Sequence, residues 1–147
     1  MLKDLIRYTE IADQKVIDTF LSAEQALPQA EALFSHILNA QHIWLNRIKG
    51  DMAEFERFAI HSKQEFETIH LVNIAELKEV LNSTELSKII SYTISTGEAY
   101  ETAVADILLH IVNHSTYHRG QVATQFKLNN ITPPVTDYVF LKRQGEF

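Results

Sequence analysis

The chain has 147 residues, 46% hydrophobic and 22% charged, which excludes a disordered polymer and gives one domain, 1–147, enough apolar side chain for a substantial core. Cysteine is absent, so disulfides and thiolate ligands are excluded and any transition metal must be held by nitrogen and oxygen. The net charge of −6 with no basic stripe argues against a nucleic-acid partner. Charges at Lys3 and Asp4 interrupt the apolar run a signal peptide needs, and no stretch approaches the ~18 apolar residues of a membrane span; the expected location is the cytoplasm.

Leu2, Leu5, Ile6, Ala12, Val16 and Phe20 recur at threes and fours, predicting a first helix from Leu2 to about Ser22. Pro28 suits a first helical turn and opens a second helix to about Lys49, with Gly50 as its stop. Leu33, Ile37, Ala40 and Trp44 define its inward face; His36 shares that face, while His42 points about 180° from Leu33. Residues 50 to about 62 lack a period and read as a crossover connection, with at most a short helical turn. A third helix is expected over about Lys63 to Leu81. Ile89–Ile94 and Ala99–Thr102 flank the turn signal Ser95-Thr96-Gly97-Glu98 and predict a β-hairpin. A fourth helix, about Ala103 to Leu128, is apolar nearly all round and is expected at the centre of the bundle. Pro133-Pro134 ends regular structure, and the apolar Tyr138–Leu141 is expected to pack back. The fold class is all-α: a four-helix bundle with a long crossover connection and a minor β-hairpin before the last helix.

The fourth helix carries His110, His114 and His118, one turn apart. At about 100° per residue they form one ladder on one face, joined within roughly 60° of His114 by Ile107, Ile111, Gln121 and Gln125. Imidazoles one turn apart can reach a single ion, and imidazole suits Zn²⁺, Ni²⁺, Cu²⁺ or Fe²⁺. With His36 inward on another helix, a three-imidazole site with open positions is feasible, the arrangement of catalytic rather than closed structural zinc. Spacing alone leaves open which ladder pair ligates. The Glu of a His-Glu-x-x-His peptidase is missing, as are the paired Glu-x-x-His motifs of di-iron carboxylate bundles. His42, His61 and His70 have no partner at ligand spacing and are read as surface or incidental. Trp44 is read as core rather than pocket wall, Gly120 as a close-packing position, and Arg119, some 120° from the ladder, as one half of an ion pair with another helix. Gln121 suits either a hydrogen bond to a ligand's second nitrogen or a structural polar contact. Tyr117 lies between these directions and is assigned no role.

The stretch Asn113-His114-Ser115-Thr116-Tyr117-His118-Arg119-Gly120-Gln121 resembles the signature of the DinB-like (DNA-damage-inducible) superfamily of metal-binding helical bundles, which is unrelated to the translesion polymerase of similar name. Ser35–Ala40 followed by Trp44–Gly50 is similar to that family's other conserved block, and Pro133–Tyr138 resembles its C-terminus, so the resemblance runs through nearly the whole chain. It implies a four-helix bundle of unusual connectivity, often a homodimer. It also implies metal ligands His36, His114 and His118, with water or substrate completing the shell and His110 a neighbour. Zn²⁺ or Ni²⁺ suits three imidazoles. The implied function is metal-dependent transfer of a low-molecular-weight thiol to an electrophilic small molecule, or hydrolysis. The competing function is a non-catalytic, metal-stabilised bundle that binds a small molecule or protein partner in stress response.

Overall fold

A computed structural model describes residues 1–147. Four long helices form the bundle: α1 (Leu2–Ser22), α2 (Pro28–Lys49), α3 (Phe66–Ser83) and α4 (Val104–Leu128). The strands β1 (Ile89–Thr93) and β2 (Ala99–Ala103) precede α4, and a short α5 (Tyr138–Arg143) closes the chain. This is the expected fold class. No helix is long and apolar enough to cross a membrane.

The helices start and stop where their chemistry directs. Pro28 occupies the first turn of α2, where its missing N–H costs nothing, and Glu31 reaches back to accept a hydrogen bond from the Leu27 N–H at 2.9 Å. At the other end Gly50 takes a left-handed φ of 78°, letting Asp51 N–H close on the Asn46 carbonyl at 2.9 Å. The third helix begins at Phe66 rather than Lys63, because Ser62 and Glu65 make a local turn in which the Glu65 carboxylate accepts from the Ser62 N–H and hydroxyl. The connection across 50–65 contains no helix. The tail holds a helix that periodicity over so short a segment could not announce; Leu141 buries against Tyr8, Ile11 and Ala12.

Around the bundle α1 adjoins α3 and α4, and α2 adjoins α3 and α4. The sequence neighbours α1 and α2 therefore lie across a diagonal, joined by the short link 23–27, whereas the long connection 50–65 joins the adjacent helices α2 and α3. Apolar side chains form two main clusters, one around Leu45, Leu77, Ile107 and Ile111, the other around Phe20, Phe34, Phe66 and Phe126.

Between the two clusters lies a buried polar layer to which every long helix contributes. Arg119 Nη1 on α4 donates to Asp13 Oδ1 on α1 at 2.7 Å, with both side chains almost fully buried. Gln41 Nε2 on α2 donates to Asp13 Oδ2 (2.9 Å) and Ser115 Oγ (3.1 Å), and Gln41 Oε1 accepts from Asn73 Nδ2 on α3 (3.2 Å). The ion pair expected of Arg119 with another helix is therefore present.

Two expectations about α4 are corrected. The helix is not apolar nearly all round: Asp106, His110, Asn113, Tyr117 and Gly120 form an exposed stripe along it. Gly120 is not a close-packing residue; it is exposed, and a Cβ built there meets nothing within 4 Å. Its lack of a side chain only costs helix propensity, so Gly120→Ala is expected to stabilise the fold by about 0.5–1 kcal/mol in urea unfolding. A loss of stability would show an unrecognised need for glycine.

Candidate metal centre

The helical faces read from the sequence bring three imidazoles together. The ring centroid of His36 on α2 lies 4.9 Å from that of His114 and 4.7 Å from that of His118, and the α4 pair is 4.4 Å apart. One nitrogen from each ring lies within 4.8 Å of the other two. Each of the three side chains is half-buried at the edge of the bundle rather than sealed in its interior. His110 stays outside the group: its ring contacts Trp44 at 5.1 Å and His114 at 5.6 Å.

Two of the rings are held from behind. His36 Nδ1 is 3.1 Å from the Arg57 carbonyl oxygen, which can only accept, so the proton lies on Nδ1 and Nε2 presents its lone pair. His118 Nδ1 donates in the same way to Gln121 Oε1 at 2.6 Å. Of the two readings for Gln121, the contact to a candidate ligand's second nitrogen is the one realised. A carbonyl behind an imidazole fixes its tautomer and raises its basicity, the arrangement that metal-ligating histidines use.

Sequence reasoning missed how the crossover is fastened beneath His36. Asn39 Nδ2 donates to the Ala59 and Arg57 carbonyls at 2.7 and 3.3 Å, and His61 Nε2 donates to Asn39 Oδ1 at 2.6 Å. Ser35 Oγ accepts from the His61 N–H at 3.0 Å, and His42 Nε2 accepts from the Glu54 N–H at 2.9 Å. His42, His61 and His70 are therefore not surface residues, as their spacing suggested: all three are buried, and the first two anchor the loop that carries the Arg57 carbonyl. Period alone could not find them, because their partners are backbone groups of an aperiodic segment. The single Glu67-x-x-His70 spacing lies on α3 and takes no part in the three-imidazole group.

Burial, then the facing rings of His118, His36 and His110, push the His114 imidazole down to about 4. His36 is also lowered, chiefly by burial, which outweighs its hydrogen bond to the Arg57 carbonyl. Both rings are then neutral at neutral pH with lone pairs free to ligate. The unfolded chain takes up a proton at His114 near 6.5 that the fold withholds down to about 4. Stability of the metal-free protein is therefore expected to fall as pH drops through that window, and His114→Gln to make the fall shallower in urea unfolding. Identical pH profiles for the two proteins would contradict the assignment.

His36 and His114 line a cleft of about 600 Å³, together with His110, Trp44, Arg47, Glu56, Arg57, Phe58 and the hairpin residues Ile94 and Ser95; His118 lies outside its lining. Trp44 packs against the core cluster around Leu45 and Ile107, as expected, and also forms a wall of the cleft. The donor set fits a divalent transition ion: three imidazole nitrogens, two of the rings with fixed tautomers, beside an open space. A family model described as "DinB family" matches residues 18–146, which takes in the crossover, the hairpin and all three histidines. No curated protein matches the chain.

Proposed function

The chain belongs to the DinB family, and from that premise we propose that it is a cytoplasmic metal-dependent enzyme whose zinc or nickel ion is held by His36, His114 and His118, and that it transfers a small thiol to an electrophile. The observation that carries this reading is the convergence of three imidazoles from two helices beside an open cleft that His36 and His114 line, with Nδ1 of His36 and His118 tied back to carbonyl oxygens. A divalent ion on neutral ligands keeps its positive charge and lowers the pKa of a water or thiol that reaches it.

The chain's own part is to place and shield. The Arg57 carbonyl and Gln121 hold two rings in the ligating tautomer, and Trp44, Phe58 and Ile94 give the cleft apolar walls against which an electrophile's carbon frame can lie. With no cysteine in the chain, the sulfur must come from the substrate. That preference separates thiol transfer from the protein-thiol chemistry other enzymes use.

Metal analysis of untagged protein, melting before and after chelation, and conjugation of a small thiol to monochlorobimane test the reading. Free zinc at 100 times its Kd is expected to add about 2.7 kcal/mol, because the ion binds the folded state alone. Conjugation is expected to accelerate on metal loading. Stoichiometric metal without acceleration would favour the non-catalytic binding bundle, and an unchanged melting temperature after verified removal would count against an ion that joins two helices.

A further inference from the structure

The cleft beside the histidines holds two cations with no anionic partner. The Arg47 guanidinium is sandwiched between Trp44 of α2 and Tyr92 of β1, 4.4 and 4.8 Å from their ring centroids. No carboxylate comes within 4.0 Å of it, and its side chain makes no hydrogen bond. Arg57, on the crossover, leans on Phe58 at 5.8 Å and likewise has no ion-pair partner, although the Glu56 carboxylate lines the same cleft. Other basic residues also lack an ion pair, among them Lys3, Lys88, Lys127 and Arg143; what sets Arg47 and Arg57 apart is that both line the one cleft beside the histidines.

Holding Arg47 there is costly. Burial lowers its affinity for its own proton, and the like charge of Arg57 adds to that, offset in part by Tyr92. Stacking on aromatic faces fixes the plane of the guanidinium but leaves its fork of N–H donors unused. A planar, oriented and unsatisfied fork matches the two oxygens of a carboxylate or the edge of a phosphate. From Arg47 the wall continues through Trp44 and His110 (rings 5.1 Å apart) to His114 (5.6 Å further), so one small molecule can span both regions.

We propose that the cleft is an anion-recognising site, in which Arg47 and Arg57 grip the carboxylate or phosphate of a small-molecule substrate and thereby aim its other end at the three histidines. The proposal deepens the metal-enzyme reading and rests on it for what happens at the far end of the molecule. The grip itself needs only the two arginines. Trp44 is the chain's sole tryptophan and lies under Arg47, so its fluorescence reports an anion there directly.

The test titrates metal-free and zinc-loaded protein with succinate, with inorganic phosphate and with neutral succinamide at constant ionic strength, following Trp44 emission and calorimetric heat. One of the two anions is expected to bind saturably to both protein forms, and succinamide not at all. Which anion binds better identifies the oxyanion. Arg57→Gln is expected to weaken that binding at least about tenfold and Arg47→Gln at least as much, while Arg47→Lys recovers part of it and Arg143→Gln changes nothing. Arg57 is exposed, so its variant tests the site even if a change at Arg47 disturbs the stack. Unaltered anion affinity in Arg57→Gln and Arg47→Lys, binding only to the zinc-loaded form, or no saturable binding would overturn the proposal. Zinc binding measured on the same variants separates the two readings: loss of stoichiometric zinc in the parent protein sinks the metal centre and leaves the anion site standing.

Discussion

Replacing His114 by alanine is expected to abolish stoichiometric metal, with zinc affinity falling more than about 100-fold. The reasoning is geometric. The three rings form a nearly equilateral triangle, with His114 4.9 Å from His36 and 4.4 Å from His118 and His36 4.7 Å from His118, so loss of His114 leaves one nitrogen on each of two helices and no chelating pair on α4. Losing a group that merely orients a ligand costs 10–100-fold, and losing the ligand itself should exceed that. Gln121→Leu supplies the internal scale: His118 keeps its place but loses the acceptor at Nδ1, so a 10–100-fold drop is expected. His110→Ala should leave affinity within about tenfold, since its ring faces Trp44 and lies outside the group. Competition with a chromophoric chelator measures all three variants. Equal losses in His110→Ala and His114→Ala would contradict the ligand set.

The parts of this site that follow helical period could be read in advance. His114 and His118 lie one turn apart on α4, and His36 shares the face of Ile37 and Ala40, so rotation about two helix axes was enough to bring them together. The bundle was legible for the same reason, down to Pro28 and Gly50 as the ends of α2. What escaped is what has no period. Arg57 and Phe58 belong to a crossover whose path is fixed by Asn39 and His61, a long-range pairing of side chain with backbone that no local pattern encodes. His42 was misread because facing away from Leu33 does not mean facing water when a 16-residue connection, 50–65, folds over that side of α2. The diagonal placement of α1 and α2 was likewise hidden, since amphipathic faces say that helices pack but not which ones become neighbours.

The polar layer was invisible for a related reason: one Asp, one Gln, one Asn and one Arg on four helices look like ordinary surface residues until the helices are assembled. Its removal should produce the largest stability change in the molecule. Asp13→Ala is expected to cost about 3–5 kcal/mol in urea unfolding, because it leaves the Arg119 guanidinium, 3% exposed, without its carboxylate and strips an acceptor from Gln41. The cost is that of an uncompensated buried charge more than of a lost attraction, so removing both charges should be milder. Asp13→Leu combined with Arg119→Met is therefore expected to recover most of the loss. A single-variant cost below about 1 kcal/mol would mean that water reaches Arg119. Ser115 and Arg119 each directly follow a metal-ligand candidate, His114 and His118, so the layer also sets the rotation of α4 that turns those imidazoles toward His36. The double variant is accordingly expected to regain stability while binding zinc about tenfold more weakly, a combination that a purely structural ion pair would not produce.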